Sequence, residues 1–292
     1  MRARPVVLVV LALVLPACGD DAAVPTGGRT LVAASFDPLA EVVRQVGGDA
    51  VDVRDLTPVG AEPHDVELTS EQVDLVEDAA LVVVLGGDFQ PAVEEATERR
   101  DGRTLVVLDE LGVDAQGDAH VWLDIELMAE TVRLVAEVLA AVDPDAAQGY
   151  TARADEYRRQ LTALDGRFEE ALATCERRTI VVPHEAYGWL AARYDLEQVG
   201  LAGTDPHHGS DPRRLDEVAG IVESQGITTV FEDPGEPDET ARTLARETGA
   251  RIAPLDSLER RGQGDTADAG YVERMEANLA ALTEALACEG GP

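Results

Sequence analysis

One uninterrupted helical pattern constrains this chain more than any other feature. From Pro144 to Thr174 it reads PDAAQGYTARADEYRRQLTALDGRFEEALAT, with Tyr150, Tyr157, Leu161, Leu164, Phe168 and Leu172 at spacings of three, four or seven. Such spacing draws a single apolar stripe along a helix. Asp143 can cap it and Pro144 suits its first position, while Gly149 and Gly166 weaken it slightly. A helix this long in mid-chain predicts a rigid connector between two bodies.

The flanking segments say what those bodies are. Before the helix, the apolar runs TLVAAS (30–35), VDVRDL (51–56), LVVVLG (81–86) and TLVVLD (104–109) have strand length. PLAEVVRQVGG separates the first two, and TSEQVDLVEDA, opening on Thr69 or Ser70 as N-cap, separates the second from the third. After the helix the scheme repeats: TIVVPH, TTVFED and ARIAPLD alternate with helical EAYGWLAARYD, DPRRLDEVAGIVESQG and DETARTLARETG. Gly226 and Gly249 are placed as helix stops. Strand–helix alternation signals parallel βα units. The expected fold is α/β: two lobes with mainly parallel sheets, joined by one long rigid helix, with a cleft between them. The amphipathic AGYVERMEANLAALTEALAC closes the chain.

The N-terminus reads as a targeting segment. Two arginines in MRARP, a ten-residue apolar run and then PAC form the n-region, h-region and cleavage pattern of an export signal. The run is too short to span a bilayer permanently. LPAC resembles a bacterial lipobox, with Pro16 an unusual residue there, which makes Cys18 the expected lipidation site. The expected organisation is a signal peptide at 1–17, a lipid-anchored tether at 18–29, an N-terminal lobe at 30–143, the linking helix at 144–174 and a C-terminal lobe at 175–292. Cys175 and Cys288 remain, and an even pair in an exported protein is most simply a disulfide.

Charge narrows the partners. The chain carries 57 carboxylates against 24 basic residues, all of them arginine, for a net charge of −33. Nucleic acid and anionic membrane surfaces are unsuitable partners for such a field. A monomer is expected, held at the membrane only through its lipid.

Five histidines stand out against this acidic background. His64 follows the strand ending near Leu56, His120 lies in the loop DAQGDAH, His184 ends TIVVPH, and Asp256 ends ARIAPLD. Ligands of open α/β sheets bind beyond the carboxyl ends of the strands. Strand ends from both lobes therefore bring His64, His120, His184 and Asp256 toward one cleft. Three imidazoles and a carboxylate suit Zn²⁺, which takes four N or O donors tetrahedrally. Spacing alone is not diagnostic, because no short metal motif is present. A shared metal centre and separate structural histidines are equally compatible with the residues alone.

The stretches GAEPHDVELT, DAHVWLD, VVPHEAYGWLAARYDL and YVERMEANLAALTEALAC resemble the solute-binding lipoproteins of zinc and manganese ABC transporters, over almost the whole mature chain and in the right order. The resemblance implies two α/β lobes on a rigid helix, a metal buried between them, and ligands at His64, His120, His184 and, in LDSL, Asp256. It implies delivery of the metal to an ABC permease and no enzymatic activity. Two departures matter. PHDVELTS lacks the aromatic and prolines usual after the first histidine, and the His-rich loop of many zinc relatives shrinks to residues 113–117. Three histidines favour Zn²⁺ over the harder Mn²⁺, which prefers oxygen; Mn²⁺ is the alternative cargo. Glu67 and Asp233 are candidates to orient the imidazoles, with solvated loop acids as the alternative. Trp122 and Trp189 read as core packing behind His120 and His184. His207 and His208 read as a surface turn rather than a second metal site. A zinc hydrolase is the competing class. It would need an open coordination position and a general base, and no base stands at a convincing position. A surface adhesin is a third reading, which no repeat or patch supports.

Overall fold

The computed structural model describes residues 28–113, 115, 117–204, 212–234, 238–261 and 269–289. The expectations at Cys18, His207 and His208 lie outside these residues. The N-terminal lobe runs β1 (Thr30–Ala34), α1 (Asp37–Gly47), β2 (Val51–Asp55), α2 (Ser70–Asp78), β3 (Leu81–Val84), α3 (Pro91–Glu98), β4 (Arg103–Val106) and α4 (Val107–Leu111). Then come α5 (Ile125–Val142) and the connector α6 (Ala147–Leu172). The C-terminal lobe runs β5 (Thr179–Val182), α7 (Gly188–Arg193), β6 (Glu197–Gly200), α8 (Pro212–Gln225), β7 (Thr229–Glu232), α9 (Glu239–Thr248), β8 (Arg251–Pro254) and α10 (Tyr271–Leu286). Each lobe holds one four-stranded sheet, in the orders β2-β1-β3-β4 and β6-β5-β7-β8, and every pairing is parallel.

Strand parity assigns the layers. In β1, Val32 and Ala34 face a central core while Ala33 joins the core under α2 and α3; β3 divides Leu81 and Val83 from Val82 and Val84 in the same way. In β5, Ile180 and Val182 face the central core and Val181 faces α8 and α9. Both faces of each sheet are covered, which is why these strands read as unbroken apolar runs. The central core is continuous from Val32 through α5 and α6 to Leu286. Apolar packing therefore couples the lobes directly.

The connector buries Tyr150, Tyr157, Leu161, Leu164, Phe168 and Leu172, the stripe its sequence draws, together with Ala154. At 26 residues it is about 39 Å long. It lies against α1, α5 and α10. Its start differs from expectation. Pro144–Ala146 forms a 3-10 turn, and the Asp143 carboxylate accepts the hydroxyls of Thr30 at 3.1 Å and Tyr150 at 2.6 Å instead of capping the helix. Local signals set the other ends. Thr69 and Gln72 form a capping box on α2, Asp124 caps α5, Asp238 caps α9, and Gly226 and Gly249 close helices at φ 63° and 76°.

Two elements depart from the apolar pattern. The run at 104–109 stops extending at Val106, and its remainder coils into α4, ended by Gly112 at φ 65°. β6 has no counterpart among the predicted strands: Glu197 and Gln198 hide an edge strand that pairs with β5 over Thr179–Val182. The Cys175–Cys288 disulfide is formed and ties the end of the connector to the residue following α10 and Ala287.

Candidate metal centre

Both sheets reverse their winding beside β1 and β5, and the side chains of interest follow the carboxyl ends of the strands there. His64 lies in a 3-10 turn, Pro63–Asp65, after β2. Gln90, after β3 and 2 % exposed, holds that turn: its Nε2 donates to Pro63 O at 3.2 Å, Thr57 Oγ1 at 3.0 Å and Ser35 O at 3.2 Å. His120 precedes the 3-10 turn Val121–Leu123. His184 sits two residues beyond β5.

The three histidines come together. Ring centroids of His64 and His120 are 5.9 Å apart, and those of His120 and His184 are 5.7 Å apart. His120 and His184 are buried, at 1 % and 3 % exposure, in the interlobe cleft. Their Nε2 atoms converge on one oxygen: Glu259 Oε1 lies 2.9 Å from His120 Nε2 and 3.0 Å from His184 Nε2. Donor atoms of His64, His120 and Glu259 lie within 4.8 Å of one another. A tetrahedral zinc shell has donor–donor edges of about 3.3 Å, which these separations bracket.

Asp256, expected from the sequence as the carboxylate ligand, lies outside this group. Its carboxylate is taken by Arg274, with Nε to Oδ2 at 2.7 Å and Nη2 to Oδ1 at 2.8 Å. Oδ1 also accepts the Leu258 N–H at 2.8 Å, an Asx turn that leaves Leu258 at φ 58°. Asn278 fixes the Asp256 backbone from both sides, and Ser257 N donates to Asp233 Oδ1 at 2.9 Å. A left-handed conformation costs a residue such as leucine about 1–2 kcal/mol, and these bonds hold it there. The reversal at Leu258 turns the next side chain, Glu259, into the cleft, 2 % exposed. Glu259 is the carboxylate that sequence reasoning missed. The available signal was an acid three residues past Asp256 in the same loop.

The supporting shell is likewise redistributed. Asp118 Oδ1 lies 2.8 Å from His120 Nδ1, which sets Nδ1 as donor and leaves Nε2 facing the cleft. Asp233 Oδ2 lies 3.9 Å from His184 Nδ1. Glu67 is exposed. The tryptophans do more than fill space. Trp122 Nε1 donates to Ser257 O at 2.8 Å and Trp189 Nε1 to Asp118 O at 2.9 Å, so each indole ties a site loop of one lobe to the other. Gly188 permits the second approach, because a Cβ there would collide with Asp118 Oδ2.

Electrostatics follow from this geometry. Burial works against a charged His120, but the hydrogen bonds and charges of Asp118 and Glu259 outweigh it and raise its pKa to about 9. The same balance, struck by Glu259 and Asp233, raises His184. Burial would raise Glu259, yet the two imidazoles hold it well below the usual carboxylate range. Asp233 is pushed up to about 7, chiefly by desolvation. Protons on the imidazoles are thereby favoured beside the buried carboxylate. A divalent cation at the same point would replace them.

Two parallel α/β lobes on one long helix, with an imidazole–carboxylate cluster enclosed between them, define a two-lobed solute-binding protein. The chain belongs to the family of the zinc-uptake complex component A, periplasmic (ZnuA), whose model matches residues 32–285. It is similar to the zinc-binding lipoprotein AdcA of Streptococcus pneumoniae, at 27 % identity over 301 residues covering 96 % of this chain and 60 % of that relative. The chain thus spans about 60 % of the length of AdcA. Similarity to the manganese-binding lipoprotein MntA of Halalkalibacterium halodurans is 26 % and covers 94 % of both chains. The crystal structure of the Zn(II)-bound ZnuA-like domain of S. pneumoniae AdcA matches with a TM-score of 0.78 at 28 % identity, over 89 % of this chain and 99 % of that one.

Proposed function

We propose that this protein captures Zn²⁺ outside the cytoplasm and delivers it to an ABC-type permease, as a lipid-anchored binding protein rather than an enzyme. The observation that carries this reading is the convergence of His120 and His184 Nε2 on Glu259 Oε1, with His64 completing the group. The ligand set is then His64, His120, His184 and Glu259, three imidazoles and one carboxylate. Four protein donors leave no open position for a catalytic water, which separates the site from a hydrolase. The names of AdcA and of the ZnuA family support zinc as cargo. The name of MntA keeps Mn²⁺ as the second reading.

The proposed organisation follows the sequence divisions: signal peptide at 1–17, lipidation at Cys18 with a tether to 29, lobes at 30–143 and 175–292, and the linking helix at 144–174. The mature chain acts as a monomer. Calorimetric titration of the metal-stripped protein with Zn²⁺ and Mn²⁺ tests the proposal. The expected result is one tight zinc site, weaker for Mn²⁺, and a loss of more than about 100-fold in His120→Ala, beyond the 10–100-fold typical of losing only a supporting partner. Tighter binding of Mn²⁺ would change the cargo. No tight site for either ion would refute the proposal.

A further inference from the structure

A second carboxylate stands at the same centre. Glu62 precedes His64 by two residues, and its side chain is 9 % exposed. Its electrostatic neighbours are Glu259 and Arg260. Arg260 Nε donates to Glu62 Oε2 at 3.1 Å and Nη2 donates to the same oxygen, so the bond crosses the cleft from the loop after β8 to the loop after β2. Glu62 Oε1 is buried and accepts no hydrogen bond among the described residues. The Arg260 backbone is itself pinned, because its carbonyl accepts Arg274 Nη2 at 2.8 Å. Two carboxylates from opposite lobes therefore approach one point. One of them, Glu259, meets the histidines, and the arginine next to it in sequence holds the other.

The number of oxygen donors separates the two candidate cargoes. Zn²⁺ is satisfied by four donors and accepts imidazole readily, whereas Mn²⁺ favours carboxylate oxygen and higher coordination. A released Glu62 would offer an additional oxygen. We propose that Arg260 is a specificity-determining residue: by engaging Glu62 Oε2 it withholds a second carboxylate from the metal and keeps the centre a three-imidazole, one-carboxylate site that favours Zn²⁺ over Mn²⁺. This rests on the metal-capture reading above.

The test is competition binding of Zn²⁺ and Mn²⁺ to the full mature protein and to Arg260→Gln, Glu62→Gln and the double variant, each checked for folding by circular dichroism. Arg260→Gln should raise Mn²⁺ affinity relative to Zn²⁺ by about 10-fold, the low end of what losing a partner around a metal site does to affinity. Glu62→Gln should leave the ratio close to that of wild type, because the carboxylate it removes is already withheld, and it tests the proposal independently should Arg260→Gln not fold. The double variant should lose the gain, because the oxygen that produced it is gone. In Co²⁺-loaded protein, Arg260→Gln should weaken the strong visible absorption of a four-coordinate ion, a change that loosened packing alone would not produce. Equal effects on both metals in Arg260→Gln, a gain that persists in the double variant, or a Glu62→Gln shift toward Mn²⁺ would each overturn the proposal. Wild-type protein that binds neither metal would instead sink the capture reading, and this inference with it.

Discussion

At the residue scale, protons and a cation would compete for the same lone pairs in the proposed metal centre. His120 is raised to about 9 and His184 is raised as well, so at neutral pH the metal-free site holds protons that a bound ion must displace. Zinc binding at pH 7 should therefore release at least about one proton, read as the slope of calorimetric enthalpy against buffer ionisation enthalpy. Affinity should keep rising with pH toward about 9 instead of levelling off near the ordinary histidine value. Stability of the metal-free protein carries the opposite sign. Because the folded His120 pKa lies above its unfolded value, its contribution is full below about 6.5 and is lost as pH rises through about 9. Melting temperatures of the metal-free protein should fall across that window, and His120→Gln should flatten the fall. Unchanged proton release in His120→Gln would show that another group supplies the proton.

At the element scale, the proposed ligands ride on loops whose shapes are set by a few buried bonds. Gln90 is the support of the His64 turn. Gln90→Leu removes one donor from each of the carbonyls of Ser35 and Pro63, which keep Thr57 Oγ1 and Val66 N, and each lost hydrogen bond costs about 0.5–1.5 kcal/mol. The expected outcome is a lower urea midpoint and faster loss of zinc to a chelator, with one site per protein retained. A rate equal to wild type would mean that the backbone of residues 57–66 holds the turn without help. Much of this level was legible in the sequence. The strands at 30, 51, 81, 179, 229 and 251 and the Thr69 cap are local matters of apolar runs and capping chemistry. β6 was not legible, because an edge strand with Glu197 and Gln198 has no apolar signature. Nor was α4, because an apolar run of that length coils or extends according to what it packs against.

At the scale of the whole molecule, the continuous core and the connector hold the lobes as one body, and the disulfide closes the far end. The loop it closes spans 113 residues, for which chain entropy gives about 4–5 kcal/mol. Replacing both cysteines by serine should lower the unfolding midpoint accordingly while leaving zinc stoichiometry and affinity within about 2-fold, since additivity holds for sites with no shared partners. A large loss of zinc affinity would mean that the bridge positions the lobes as well as stabilising them.

The sequence by itself determined the two-lobed parallel architecture and the stripe on the connector, because periodicity is a property of neighbouring residues; it placed three histidines in loops at strand ends without deciding that they meet. Only the tertiary structure decided which carboxylate joins them. Asp256 and Glu259 share one loop and one chemistry, and nothing local ranks them. The choice falls to Arg274 and Asn278, both on α10, which seize Asp256 and force the turn at Leu258 that delivers Glu259. The pairing of Arg260 with Glu62, 198 residues away, likewise depends on packing that brings separate loops to one point.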